Sequence, residues 1–153
     1  MFTPVNPKQS FPQMEEDLIA YWKANKTFEK SVRGKKEYSF YDGPPFATGL
    51  PHYGHLLAGT LKDVVPRYWA MKGYKVDRKW GWDCHGLPVE NLVEKDLGLK
   101  SKTAIEEYGI GKFNEACRAS VMKYAEEWKA TVERMGRWVD MENDYKTMEP
   151  NYM

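Results

Sequence analysis

The sequence predicts an α/β fold in which parallel strands are joined by crossover helices. Two short, aromatic-rich runs, 37–42 and 74–83, show the alternation typical of strands. A helical apolar stripe lies between them, and further helical patterns follow the second run. Strands that alternate with helices usually form a parallel sheet. Because two strands alone make a poor sheet, we expect this chain to be the first part of a larger domain.

The segment before the first strand predicts a single helix over 14–30. Its apolar residues recur at helical spacing, with acidic residues near its start and basic residues near its end, which matches the helix dipole. The first strand follows at 37–42. Gly43, Pro44 and Pro45 end it, because proline has no amide hydrogen for a sheet ladder.

The helix after His55 carries one apolar stripe, and Gly73 is its expected end. Pro66 lies inside this pattern and should produce a kink or a local break, because it removes a backbone hydrogen bond. The stripe consists of Leu57, Leu61, Val64, Tyr68 and Met71.

The run 74–83 mixes basic and aromatic residues, as an RNA-binding surface could. Its alternation favours a sheet strand with solvated Lys75 and Lys79. A helix should follow, with Pro88 near its start and Gly98 just past its end. A long amphipathic helix is predicted from 113 to 135, and no closing strand is evident after it.

Composition indicates an ordinary globular protein. Apolar residues make up 42% and charged residues 29%, and the net charge of +1 gives no general attraction to nucleic acid. Cys84 and Cys117 lack zinc-site spacing, so reduced thiols are expected. No secretory signal, transit peptide or apolar run of membrane-spanning length is evident, so a cytoplasmic location is expected.

His52, Gly54 and His55 stand where a turn opens into a helix. The free amides of a first helical turn attract anions, and Gly54 lets a flat base or a phosphate approach the backbone. Two imidazoles there could donate hydrogen bonds to phosphate oxygens, which suggests phosphoryl or nucleotidyl chemistry. A plain surface loop is the alternative for this motif taken by itself. A metal site is not indicated, because no third ligand is evident nearby.

The wider stretch is more specific. "DGPPFATGLPHYGH", followed by "KD" and later by "GWDCHGLPVE", resembles the N-terminal part of the catalytic domain of class I aminoacyl-tRNA synthetases, closely the isoleucyl-tRNA synthetases. The family's "HIGH" motif reads "HYGH" here. Valyl and leucyl relatives share the histidines, but their preceding loops look different. The resemblance implies an N-terminal helical extension over 1–36 and the first, incomplete part of a Rossmann-like nucleotide-binding domain over 37–153.

The resemblance also implies roles for individual residues. His52 and His55 would be the catalytic pair, contacting the ATP phosphates. The implied ATP-binding residues are Pro45, Thr48, Gly49, His52, Gly54 and His55. The implied substrate-binding residues are Gly43, Pro44, Phe46 and Asp83.

Asp83, Phe46 and the neighbouring His85 each have more than one possible role. Asp83 would bind the substrate α-ammonium group, with capping of the next helix as the alternative. Phe46 could equally belong to plain turn chemistry. His85 is expected to hold a loop in place rather than to act on the substrate.

The implied reaction joins isoleucine to tRNA(Ile) through an adenylate, with ATP and Mg²⁺ as substrate and no metal ligated by this segment. The second ATP motif, K-M-S-K-S, is not found, and neither are an editing domain or an anticodon-binding domain. We therefore expect a fragment whose partners are isoleucine, ATP, the remainder of the synthetase and, through parts outside this chain, tRNA. The alternatives are a valyl- or leucyl-type synthetase and a non-catalytic, synthetase-derived nucleotide-binding module.

Overall fold

A computed structural model describes residues 4–153, and within them the fold is α/β with parallel strands, as predicted. One pair of strands is joined at Lys36 and Tyr74, and a second pair is joined at Trp82 and Lys146. Both pairs are parallel. The elements in chain order are α1 (Phe11–Ala24), α2 (Thr27–Ser31), β1 (Lys36–Glu37), α3 (Tyr53–Met71), β2 (Tyr74–Lys75), β3 (Lys79–Trp82), α4 (Leu87–Leu97), α5 (Lys102–Tyr108), α6 (Ile110–Ser120), α7 (Ala125–Arg134) and β4 (Asp140–Lys146).

The prediction of a single helix over 14–30 is wrong, because a turn after Ala24 divides this segment into two helices. α1 begins at a Ser10 cap that accepts from the Gln13 amide, and it ends at Ala24. Lys26 then takes a left-handed conformation with φ of 49°, which a continuous helix does not allow, and α2 follows. Residues 1–3 of the predicted extension lie outside the described residues.

The first strand is much shorter than predicted. β1 spans only Lys36–Glu37, and 38–42 form no regular strand. Tyr38 still donates its amide to the Lys75 carbonyl at 2.9 Å, but its ring stacks on Trp69. The chain then leaves the ladder, and further on the Asp42 side chain forms ion pairs with Lys62 on α3 and with Arg137.

α3 follows the predicted pattern and ends just before Gly73, whose φ is 87°. It continues through Pro66 without the local break we considered, and Pro66 is fully buried. The predicted apolar stripe is on the surface. Its five members, Leu57, Leu61, Val64, Tyr68 and Met71, are between 49% and 72% exposed.

The predicted strand 74–83 is two strands, β2 and β3, which pair with different partners and are separated by residues 76–78, where Arg78 is buried. The Arg78 guanidinium donates to Ser31 Oγ at 2.6 Å, and burial lowers its pKa to about 10. Trp80 and Trp82 are buried while Lys79 is exposed. This burial favours the sheet interpretation over an aromatic RNA-binding surface.

The C-terminal region departs most from the sequence interpretation. The helix predicted over 113–135 is two helices, α6 and α7, separated by a turn in which Val121 is buried and the Tyr124 amide donates to the Ala47 carbonyl. α5 was not predicted. A strand does follow the helices: β4 runs parallel to β3, so the expectation of no closing strand is wrong.

The core lies between the β3–β4 pair and helices α4 and α7. Trp80, Trp82 and Trp128 pack edge-on or tilted, with ring centroids 5.4 to 6.2 Å apart. The other buried members are Ala47, Cys84, Val89, Val121, Ala125 and Val132. Ala47 belongs to the loop before α3, so this core also fixes the loop. Among residues 4–153, no helix is long and apolar enough to cross a membrane.

Candidate active site

The two histidines of the "HYGH" motif cap α3 reciprocally. His52 is the N-cap residue, and its Nδ1 accepts from the Gly54 amide at 3.1 Å. In return, His55 Nδ1 accepts from the His52 amide at 3.2 Å. This is the arrangement of a capping box, with two imidazoles in place of the usual side chains. The rings stack with centroids 3.7 Å apart.

These bonds determine the tautomer of the neutral rings. A neutral imidazole has one donor and one acceptor nitrogen. Because Nδ1 is the acceptor in both His52 and His55, the proton of each neutral ring is on Nε2. Within residues 4–153 neither Nε2–H group has a hydrogen-bond partner, so both can donate to an anion at the positive end of the α3 dipole.

Gly54 lies in close contact with the His52 ring. A Cβ at Gly54 would lie 3.0 Å from His52 Cε1 and 3.1 Å from Nδ1, closer than side-chain carbons normally pack. A larger residue would therefore require the His52 ring to shift by a few tenths of an ångström. From the sequence, Gly54 was expected only to let a ligand approach the backbone. The structure adds its close contact with the His52 ring.

His55 lies in an environment that disfavours its charged form. Burial lowers its pKa below the ordinary 6.5, and the charges of His52 and Lys62 lower it further. Trp128 contributes to this burial, with its ring centroid 4.7 Å from that of His55. His55 is thus biased toward the neutral state.

The loop 42–49 is held through its carbonyl groups. Pro44 and Pro45 have no amide hydrogen, so the loop has few donors of its own. Donors from five different places supply the bonds, at 2.8 to 3.4 Å. Tyr145 Oη donates to Asp42 O, Lys62 Nζ to Gly43 O, the Asp83 amide to Pro45 O, the Tyr124 amide to Ala47 O, and Trp128 Nε1 to Gly49 O.

Asp83 lies beside this loop. Phe46 and Asp83 form an isolated parallel bridge, which extends the line of β3 beyond Trp82. Phe46 packs against the core, while Asp83 is half-buried. The fold therefore brings Pro45 and Phe46 to the strand end that carries the Asp83 carboxylate, with Gly43 and Pro44 just before them in the loop. This is the edge at which open α/β sheets bind ligands.

The remaining predicted site residues have less defined surroundings. Thr48 is half-buried on the loop, and a Cβ at Gly49 would meet no atom within 4 Å, so space is open there. His85 is exposed, and its Nδ1 lies 3.2 Å from Thr147 Oγ1. Thr147 also accepts from the Cys84 amide at 2.9 Å. His85 is thus positioned to hold the segment after β3 next to the end of β4.

Sequence reasoning missed several residues that build the site. Lys62, Arg137 and Tyr145 all contact Asp42 or its neighbouring carbonyl, and Trp128 bonds the loop while contacting His55. Lys62 was quoted as part of "KD", but only as a marker of the family. The others are far away in sequence, so no local pattern connects them with the loop.

No group of three or more His, Cys, Asp or Glu side chains that could hold a metal ion is found within 4–153. The donors at the start of α3 are imidazole N–H groups and backbone amides, which suit an anion.

The family model of tRNA synthetases class I (I, L, M and V) matches residues 17–153. The chain belongs to the class I tRNA synthetases. The match includes both the "HYGH" segment and the "GWDCHG" segment.

Two curated relatives are informative. The chain is 64% identical over 156 residues to the isoleucine–tRNA ligase of Treponema denticola, and 55% identical over 154 residues to that of Bdellovibrio bacteriovorus. These matches cover 100% and 99% of this chain but only 14% and 15% of the relatives. The chain thus spans about one seventh of the length of the curated relatives it matches.

A solved structure supports the fold assignment. The chain is similar, with a TM-score of 0.57 and 23% sequence identity, to the crystal structure of the ternary complex of Agrobacterium radiobacter K84 agnB2 LeuRS, tRNA and LeuAMS. The match covers 90% of this chain and 16% of that one. At this identity the likeness concerns the fold, which is the Rossmann-like fold of class I synthetases.

Proposed function

We propose that this chain is part of an isoleucine–tRNA ligase. In that ligase it binds the ATP phosphates and forms one wall of the isoleucine pocket. The observation that carries the proposal is the reciprocal capping of His52 and His55, which leaves two Nε2–H donors free at the start of α3. Whole-chain identity of 64% to a curated isoleucine–tRNA ligase supports the choice of isoleucine.

The proposed reaction has two steps. The isoleucine carboxylate attacks the α-phosphate of ATP, giving isoleucyl-adenylate and pyrophosphate. A hydroxyl of the terminal ribose of tRNA(Ile) then attacks the acyl carbon, and AMP is released. The two Nε2–H groups stabilise negative charge that moves onto phosphate oxygens during the first step. A neutral His55, favoured by its lowered pKa, donates this bond without a change of protonation.

The loop and Asp83 supply the other half of the proposed site. Gly43, Pro44 and Phe46 line the amino-acid pocket, Pro45, Thr48, Gly49 and Gly54 line the nucleotide side, and the Asp83 carboxylate binds the α-ammonium group. Catalysis then rests on positioning and charge stabilisation, with no covalent enzyme intermediate. ATP enters with Mg²⁺ as a substrate complex. His85 keeps the segment after β3 in place.

We also propose that residues 1–36 form an extension of the catalytic domain, of which 37–153 are the first part, and that the ligase acts in the cytoplasm. The remainder of the ligase is the main partner, and it provides the tRNA contacts. The exposed stripe of α3 supports this, because an apolar helix face of this kind is usually covered. Coverage of only about one seventh of the curated relatives is consistent with it.

The test is isoleucine-dependent exchange between ATP and pyrophosphate, measured with the ligase that contains this segment. His52→Asn combined with His55→Gln preserves capping chemistry, since Asn is a good N-cap and Gln fits the third helical position. We expect exchange to fall by at least about 100-fold, because an amide whose oxygen occupies the cap position cannot place its N–H groups where the imidazole Nε2–H groups were. Glu106→Gln on α5 is the surface control and should retain full exchange.

The outcomes separate the alternatives. Unchanged exchange in the double variant would refute the role of the histidines. Exchange with valine or leucine in preference to isoleucine would refute the assigned amino acid. A chain that binds its partner equally well with and without the histidines, and supports no exchange, would be the non-catalytic module.

A further inference from the structure

We propose that Asp42 is a positioning residue, whose carboxylate fixes the loop 43–49 relative to α3 and β4 and so sets the shape of the amino-acid pocket. The inference rests on the proposed function for its catalytic consequence. Its structural part depends only on the contacts that Asp42 makes.

The Asp42 carboxylate lies between two cations. Lys62 Nζ on α3 is 2.7 Å from Oδ1, and the Arg137 guanidinium, just before β4, pairs with Oδ2. The Asp42 side chain is only 8% exposed and that of Arg137 only 6%. Charges this far from water interact strongly, and removing one of them leaves its partners uncompensated.

The backbone at the start of the loop is held by the same elements. Lys62 Nζ, besides its ion pair, donates to the Gly43 carbonyl at 2.9 Å. Tyr145 Oη on β4 donates to the Asp42 carbonyl at 3.2 Å. Lys62 therefore holds the carboxylate and the next peptide together, and the loop begins from a point fixed by α3, β4 and the segment before β4.

This fixed point determines where the proline segment lies. Pro44 and Pro45 have a restricted φ, so the position of Gly43 largely determines that of Phe46. The two prolines have no amide hydrogen, so they donate no hydrogen bond that would hold the segment in place. At the far side, the Pro45 carbonyl accepts from the Asp83 amide at 2.8 Å. A loop fixed at both Asp42 and Pro45 holds its wall at one distance from the Asp83 carboxylate.

Lys62 also connects the two halves of the site. Its charge is one of the causes that lower the pKa of His55. The ion pair with Asp42 keeps this ammonium next to the loop. The same residue thus acts on the phosphate side and on the amino-acid side of the proposed site.

The first experiment measures the loop directly, without any activity. Hydrogen–deuterium exchange is followed at the Asp83 and Tyr124 amides, which donate to the loop carbonyls of Pro45 and Ala47, in the ligase that contains this segment as wild type, as Asp42→Asn and as Asp42→Glu. We expect exchange to be at least about tenfold faster in Asp42→Asn, since the loop loses its anchor. Asp42→Glu retains the charge and should exchange more slowly than Asp42→Asn.

Asp144→Asn is the matched control. The Asp144 carboxylate is 13% exposed and pairs with a lysine, Lys146, and with an N–H donor, Trp82 Nε1, but it contacts no residue of the loop. Its substitution should destabilise the protein with less effect on exchange at the Asp83 and Tyr124 amides than Asp42→Asn has. Equal protection of these two amides in wild type and Asp42→Asn, or equal loss in Asp42→Asn and Asp144→Asn, would overturn the proposal.

The second experiment measures the consequence in the complete ligase. For Asp42→Asn we expect the KM for isoleucine to rise by about tenfold and the KM for ATP to rise by less, because His52 and His55 on the phosphate side keep their cap bonds. The fraction of active sites, from the adenylate burst, should be unchanged. A lower active fraction with a normal KM for isoleucine would mean that Asp42 serves stability alone. Failure of the wild-type ligase to use isoleucine would refute the proposed function. Hydrogen–deuterium exchange would still test whether Asp42 holds the loop.

Discussion

The imidazole rings of His52 and His55 lie nearly parallel, at an interplanar angle of 19°, because each ring is bound through Nδ1 to the backbone of the same helical turn. Stability and chemistry are therefore combined in one pair of side chains. A substitution that removes an imidazole also removes a cap, so its effects must be separated by choice of replacement.

Replacing His52 should distinguish these two roles. His52→Ala removes the N-cap acceptor and should lower the free energy of unfolding by about 1 kcal/mol, whereas His52→Asn caps the helix and should stay close to wild type. Urea denaturation followed by circular dichroism measures both. Equal loss of stability in the two variants would contradict the capping role.

The protonation of His55 should depend on its neighbours. Its pKa lies below 6.5 through burial first, then through His52 and Lys62, so His52→Asn and Lys62→Met should each raise it. NMR titration of the imidazole carbon and nitrogen shifts gives the values. A pKa of 6.5 or above in the wild-type chain would refute the cause we assign.

The same shift has a consequence for stability. Because the folded state holds the pKa of His55 below that of the unfolded chain, the unfolded chain binds more protons in the interval between the two values. The contribution is fully present above pH 6.5 and is lost as the pH falls through the folded pKa. Thermal unfolding between pH 7.5 and 5 should show a smaller decline in His55→Gln than in wild type.

Gly81 has a packing role that a substitution should expose. The Tyr145 ring lies over Gly81 across the β3–β4 pair, and an added Cβ would overlap it. Gly81→Ala should cost about 1 to 3 kcal/mol of stability through overpacking. Much of that cost should disappear when Tyr145→Ala is added, because the space is then free.

Gly111 on α6 is the control for this experiment. A Cβ at Gly111 would meet nothing within 4 Å, and Ala is favoured over Gly within a helix. Gly111→Ala should therefore leave stability unchanged or raise it slightly. Equal loss in Gly81→Ala and Gly111→Ala, measured by thermal unfolding, would show that the Tyr145 contact is not the cause.

Both thiols should react slowly in the folded chain. Burial raises the pKa of Cys84 and of Cys117, and the nearby carboxylates of Glu90 and Glu94 raise the pKa of Cys117 further. Alkylation by iodoacetamide at pH 7.5 should be slower than in the urea-unfolded chain. Glu90→Gln should accelerate the reaction at Cys117 and leave Cys84 unchanged, as peptide mass spectrometry would show.

The sequence was most informative where a pattern is local. α3 and α4 lie where their periodicity, Pro88 and Gly98 predicted them, because helical hydrogen bonds join residues four apart. The same applies to His52 and His55, whose contacts with each other fall within one turn. Parallel pairing followed from the order of strands and helices, which is also a property of the chain itself.

Errors arose where distant residues compete with a local pattern. The predicted strand 37–42 is short, and its last residue, Asp42, pairs instead with Lys62 and Arg137. The predicted helix 113–135 is interrupted at 121–124, next to the loop that carries Ala47. β4 was not predicted because the strand that pairs with it, β3, lies about sixty residues earlier in the sequence. No window of neighbouring residues contains these contacts.

By itself, the sequence determined the class of fold, the family to which the chain belongs and the pair of histidines at the start of α3. Only the tertiary structure decided how the loop before that helix is held, which tautomer the histidines adopt and which residues surround Asp42. The physical reason is the range of the interactions: helix capping and turn chemistry act within a few residues, whereas buried ion pairs and side-chain bonds to loop carbonyls join groups up to about a hundred residues apart.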